Sequence, residues 1–323
     1  RSKLKKANNK IVFNLLILCF SLLFTVSLIN FDTKTIETTA KATTDKKIEW
    51  GIKRGKDHSQ PDLGSTNKSI IDNNNGISMG NSQNPYIYLT FDCGYEAGYT
   101  EKILEVLKQN DVKATFFITG HYLNSVPELV KKMIDDGHII GNHTADHICM
   151  PEASNEEIKE DVMELHTALY EKFGYEMKYL RPPKGEYSQR TIEYTNTLGY
   201  TTVMWSFAYD DWEESKQGRE DYGKKKILDN AHNGEVMLLH STSKDNSNIL
   251  DYCIKEMKKM GYQFKSLDEF KQWGKGDAHI ASNVKWWKKY IKLLRQGVPP
   301  LCLIGGRMKK KVKKLEEILE IHT

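Results

Sequence analysis

From Pro85 to about Phe270, short β-rich runs alternate with longer helical patterns, and this alternation constrains the fold more than any other feature of the chain. The expected strands are 86–91, 113–119, 137–142, 178–181, 200–207, 235–240 and 262–267. Between them lie helical stretches such as "YTEKILEVLKQN", "VPELVKKMIDDG", "SNEEIKEDVMELHTALYEKFG" and "NSNILDYCIKEMKKMG". Ser154 with Glu157 three residues on reads as a capping box. Gly137, Gly174 and Gly261 stand where helices should stop. Seven strands separated by helices imply a parallel α/β domain, either an open doubly wound sheet or an incomplete barrel.

In such domains useful side chains gather where strands end and loops begin. Here Asp92 ends the first strand, His143 the third, Arg181 the fourth and His240 the sixth, and Asp211 closely follows the fifth. Five ionisable groups at one end of five strands are hard to obtain from core packing alone. His143 and His147 are four apart in "HTADH", a spacing that lets both imidazoles reach one ion. Two histidines need oxygen ligands or water to complete a shell, and the neighbourhood of Asp92 is the obvious source. A metal lowers the pKa of bound water, and a nearby carboxylate can take its proton. His240 could protonate a leaving group, Asp211 could hold its tautomer, and Arg181 could set the charge state of Asp92.

These motifs resemble the polysaccharide deacetylases of carbohydrate esterase family 4, the NodB homology domain. Their order is "TFDCG", "HTADH", "RPP", Asp211-Trp212 and "LLH". The resemblance implies a distorted, incomplete (β/α) barrel, with Asp92 as catalytic base, His143 and His147 as metal ligands, and His240 as general acid. Arg181 and Asp211 belong to its third and fourth motifs. One position departs from the pattern: Cys93 stands where the family usually has a metal-binding Asp. There it either ligates the ion as a thiolate or merely fills space. The resemblance is closer still to the delta-lactam-biosynthetic de-N-acetylases of spore formers, in "TFDCGYEAGYT", "FFITGHYL", "YLRPPKGEYS" and the prelude "WGIKRG…QPDLG". That branch commonly carries Asn at the Cys93 position.

The resemblance therefore implies a hydrolase that uses one divalent ion, zinc before cobalt or manganese, to release acetate from N-acetylmuramic acid in peptide-stripped peptidoglycan. Alternatives on the same fold are N-acetylglucosamine in peptidoglycan or chitin oligomers, and O-acetyl xylan. A glycan-binding module without chemistry is an alternative of another class. Tyr95, Tyr187, Tyr209 and Trp212 are candidates to stack on sugars. Pro182 joins the expected substrate site, and Lys184 is a candidate partner for the lactyl carboxylate.

The ends of the chain differ from its middle. A basic start (1–10) precedes an apolar run at 11–29, about 28 Å long as a helix and so near the apolar thickness of a bilayer. It reads as an uncleaved membrane anchor or, alternatively, a secretory signal. In either case the catalytic domain lies outside the cytoplasm, single-pass at the cell membrane or secreted, and in a spore former in the forespore or cortex space. Residues 30–49 read as a linker, 50–84 as a largely irregular prelude with Trp50 buried, 85–272 as the catalytic domain, and 273–323 as a basic helical tail. Five cysteines without a CxxC pair argue against a disulfide framework. A formal net charge of +4, much of it at the two ends, is no nucleic-acid footprint, and nothing implies a nucleotide cofactor. The oligomeric state is not legible.

Overall fold

A computed structural model describes residues 45–270. The expected anchor at 11–29 and the tail at 273–323 lie outside the described residues. Among the described residues no helix is long and apolar enough to cross a membrane.

The strands are β1 (Ile48–Glu49), β2 (Tyr86–Cys93), β3 (Thr115–Ile118), β4 (Ile139–Asn142), β5 (Tyr179–Leu180), β6 (Glu186–Tyr187), β7 (Thr201–Thr202), β8 (Glu235–His240) and β9 (Gln263–Phe264). The helices are α1 (Ser65–Asn73), α2 (Thr100–Gln109), α3 (Gly120–Ser125), α4 (Pro127–Asp135), α5 (Asn155–Phe173), α6 (Gln189–Thr197), α7 (Glu220–Asn230) and α8 (Lys244–Lys259). A seven-stranded parallel sheet runs β7-β5-β4-β3-β2-β8, with β9 also paired to β2. All seven expected strands are present.

The expected fifth strand is broken. Only Thr201–Thr202 pairs with β5. The chain then bends, and Phe207 bridges Met237 of β8 at the other end of the sheet. This second pairing curls the sheet back on itself into an incomplete barrel, so the open doubly wound alternative is excluded. The prelude is also less irregular than expected, since it contains α1. Trp50 is buried at 7% exposure and donates its indole N–H to Trp205 O at 2.8 Å.

Helix ends follow local chemistry. Ser154 and Glu157 form the reciprocal capping box of α5, and Gly174 closes that helix at φ 67°. On α2 the apolar Ile103, Leu104, Val106 and Leu107 are buried, with Thr100 at its start, as a helix packed on a sheet requires.

Side chains alternate across each strand. Ile87, Leu89, Phe91 and Cys93 of β2, Phe116 and Ile118 of β3, and Met237 and Leu239 of β8 face the large core under the helices. Tyr88, Phe117, Ile139, Tyr179 and Val236 fill the inside of the curl. Asp92, His143, Arg181 and His240 share the parity of this inner set, so the fold collects them inside the curl, at the carboxyl ends of their strands.

Candidate active site

Asp92 closes β2 at 8% exposure. Its Oδ1 accepts a 2.8 Å bond from Arg181 Nη1. Arg181 is wholly buried; its Nε donates to Val203 O at 3.1 Å, and its guanidinium lies 4.3 Å from the Phe117 ring centroid. Burial alone would raise the Asp92 pKa, but the Arg181 charge, with His143 and His240, outweighs it and holds the carboxyl below its ordinary value.

His143 follows β4, and its Nε2 is 3.6 Å from Asp92 Oδ2. Its Nδ1 is 2.8 Å from Arg181 O. A carbonyl only accepts, so Nδ1 carries the proton and Nε2 is left as a lone-pair donor. Burial lowers the His143 pKa below its ordinary value and outweighs the opposing pull of Asp92, favouring the neutral ring. The His147 ring stands edge-to-face with His143, centroids 4.9 Å apart.

His240 ends β8, in register beside Asp92 of β2. Its Nδ1 is 2.8 Å from Asp211 Oδ1, and its backbone N–H donates to Asp211 Oδ2 at 2.8 Å. Asn246 Nδ2 also donates to Oδ2, at 2.6 Å. Burial would lower the His240 pKa, but Asp211 overrides it and raises the value. The arrangement leaves His240 Nε2 as the free nitrogen of the ring.

Asp92, His143, His147 and His240 line one open cleft of about 1090 Å³. Among the expected sugar contacts, Tyr95 and Trp212 line it too, at 41% and 58% exposure. The Tyr95 hydroxyl donates to Glu214 Oε1 at 2.8 Å and so ties together two segments of the rim.

Other expected contacts are placed elsewhere. Tyr187 is wholly buried and packs on Trp50, ring centroids 6.2 Å apart, so it presents no face to a sugar. Tyr209 is buried and its hydroxyl bonds Asn246. Pro182 is buried and does not line the cleft. Lys184 is exposed, at the left-handed φ of 57°. Cys93 is wholly buried on the helix-facing side of β2, where burial pushes its thiol pKa far up. Strand alternation is the reason: the residue after Asp92 must point away from it. The Cys93 side chain therefore packs in the helix-side core and does not line the cleft.

Among the described residues, no three His, Cys, Asp or Glu side chains gather as a metal-ligand set. The two imidazoles nevertheless fit a borderline divalent ion. One is locked by a carbonyl in the tautomer that frees Nε2, which is how metal-binding histidines are commonly oriented.

Several contributors to the site were not legible in the sequence. His121, Thr119, Asp146, Glu213, Glu214 and Thr242 complete the cleft wall. The strand-end rule could have found Thr119 and Thr242. Asn246 lies on α8, and no spacing announces its bond to Asp211. Glu96 accepts from the Tyr99 and Thr100 amides and the Tyr122 hydroxyl at 2.9, 3.3 and 2.9 Å, fixing the turn that presents Gly94 and Tyr95.

Comparison with known proteins agrees with this geometry. The family profile "Polysaccharide deacetylase" matches residues 79–203. The chain is 41% identical over 231 residues to the Bacillus subtilis peptidoglycan-N-acetylmuramic acid deacetylase PdaA, covering 71% of this chain and 88% of that protein. It is 33% identical over 186 residues to a Bacillus cereus peptidoglycan-N-acetylglucosamine deacetylase, covering 57% and 86%. The solved structure of Bacillus subtilis PdaA, a family 4 carbohydrate esterase, superposes with a TM-score of 0.69 over 70% of this chain and 97% of that one. A family 4 carbohydrate esterase from Bacillus anthracis gives a TM-score of 0.60 at 38% identity, over 71% and 98%.

Proposed function

This chain belongs to the polysaccharide deacetylase family, and on that premise we propose that it is a metal-dependent peptidoglycan N-deacetylase whose substrate is N-acetylmuramic acid, in the route to muramic delta-lactam of the spore cortex. One observation carries the chemistry: an ionised carboxylate, a free imidazole nitrogen of fixed tautomer and a second, carboxylate-backed imidazole all line one cleft. The muramic assignment is supported by the 41% identity to PdaA, against 33% to the N-acetylglucosamine enzyme.

His143 Nε2 and the His147 ring would hold one divalent ion, zinc by donor chemistry. When bound, that ion polarises the scissile carbonyl and acidifies water. Asp92 takes the proton of the attacking water; Arg181 keeps it ionised for that task. His240, made more basic by Asp211, delivers a proton from Nε2 to the departing sugar amine. Tyr95 and Trp212 offer faces to the glycan, and the open cleft admits a polymer. Residues 85–272 form the catalytic unit in this reading. Action on cell-wall glycan places it outside the cytoplasm, with 11–29 as the membrane anchor.

The test is acetate release from peptide-stripped peptidoglycan strands, intact peptidoglycan, chitin oligomers and acetylxylan, with mass spectrometry to locate the lost acetyl. The highest kcat/KM is expected on the peptide-stripped strands, abolished by a chelator and restored by zinc. Equal rates on chitin oligomers, or loss from glucosamine alone, would reject the muramic assignment and leave the deacetylase.

A further inference from the structure

The loop between the two candidate ligand histidines contains a backbone anomaly at each end. Thr144 lies at φ 63° and His147 at φ 56°, both left-handed and neither a glycine. For a β-branched residue such as Thr144 this is an outlier, and such a conformation persists only where the surroundings over-determine it.

The surroundings do so through a side chain that no catalytic motif contains. Asp161, on α5, is buried at 8% exposure. Its Oδ2 accepts the Ala145 amide at 3.1 Å and its Oδ1 the Asp146 amide at 3.0 Å. These are the two residues that separate the left-handed positions. Three further bonds lock the same turn. Asn142 Oδ1 accepts from Thr144 N at 2.8 Å, Thr144 Oγ1 from Ile148 N at 3.2 Å, and Ala145 O from Gly120 N at 3.0 Å. A Cβ on Gly120 would itself stand 3.0 Å from that carbonyl oxygen, so glycine permits the approach.

We propose that Asp161 is a positioning residue for the ion-binding loop, its carboxylate clamping the Ala145 and Asp146 amides and so presetting the placement of His147 against His143. This rests on the reading of those histidines as ion ligands. Two charge-assisted bonds to backbone amides are individually strong. Their effect is to fix the loop before the ion arrives, so that binding does not have to order it.

The test is zinc affinity of the full chain, read by competition with a chromogenic chelator. Asp161→Asn keeps the shape, turns one acceptor into a donor facing an amide, and should weaken zinc binding about ten- to a hundredfold. Leu169→Ala serves as control: it removes a wholly buried side chain from the same helix and should lower Tm while leaving zinc affinity at the wild-type value. Unchanged zinc affinity in folded Asp161→Asn, or an equal loss in Leu169→Ala, would overturn the proposal. Should Asp161→Asn not fold, amide exchange of the metal-free wild type decides: Ala145 and Asp146 should be protected like core strand amides, and exchange at the rate of open loops would overturn the clamp. Wild-type protein that takes up no divalent ion would instead defeat the ligand reading, and the same exchange data would still decide the clamp.

Discussion

Arg181 donates from Nη1 to Asp92 Oδ1 at 2.8 Å, from a guanidinium with no solvent exposure. The pair is costly to desolvate, and its members depend on one another. Removing one partner of a buried pair leaves an uncompensated charge and costs about 3–5 kcal/mol.

Asp92→Asn should therefore fail twice. Acetate release should fall about a thousandfold with loss of the proposed base, and urea unfolding should show a loss of about 3 kcal/mol from the stranded Arg181. Adding Arg181→Met should recover much of the stability and none of the activity. A double variant no more stable than Asp92→Asn would show that the pair does not set stability.

Cys93 gives a different expectation. It faces the helix-side core, opposite in parity to Asp92. Cys93→Ala should leave zinc affinity and kcat within a few-fold and cost about 1–2 kcal/mol of stability through the lost contacts. A large fall in zinc affinity at unchanged fold would mean that the strand end reorganises to bring the thiol to the ion.

The contrast between Asp92 and Cys93 marks how far the sequence reaches. The strand count, the strand-end residues and the α5 capping box were legible, because each is a local pattern of period two or of fixed offset. Strand parity, applied to "LTFDC", already places Cys93 away from Asp92, although family resemblance alone points it at the ion. The break after Thr202, which curls the sheet, was not legible, because "YTTVMWSF" is uniformly strand-like and the bend depends on where β8 lies. Nor were Asp161 and Asn246. Their helices position them, and only tertiary packing selects which polar residue on a helix meets a loop.

The pH dependence follows from two opposite shifts. The Asp92 pKa is held below its ordinary 3.8 by Arg181 against burial, and the His240 pKa is raised above 6.5 by Asp211 against burial. In the proposed reaction Asp92, as base, must be ionised and His240, as acid, protonated. The acid limb of kcat/KM should thus lie below 3.8 and the alkaline limb above 6.5. Linkage gives the same signs for stability. The Asp92 contribution is present above 3.8 and lost as pH falls through its folded value. The His240 contribution is full below 6.5 and lost as pH rises through its folded value. Asp211→Asn should move the alkaline limb toward lower pH; an unmoved limb would separate His240 from the titrating acid.

Trp212 and Tyr187 form the last contrast, because both are aromatics in motif neighbourhoods and the structure gives them opposite surroundings. Trp212 is 58% exposed on the cleft wall, whereas Tyr187 is wholly buried beside Trp50. An exposed ring contributes little to folding, and on the cleft wall this one is accessible to a ligand. Covering it with a sugar ring removes apolar area from water, a gain of about 1–2 kcal/mol at ordinary transfer coefficients. Trp212→Ala should accordingly raise KM for glycan strands about five- to thirtyfold with kcat and Tm nearly unchanged. Tyr187→Ala should do the reverse, lowering stability by about 3 kcal/mol through the cavity it leaves while the surviving folded fraction keeps its KM. The measurements are steady-state kinetics on strands of defined length and thermal unfolding of each variant. A Trp212→Ala protein with wild-type KM would remove that ring from the glycan path and leave Tyr95 as the exposed aromatic of the cleft wall.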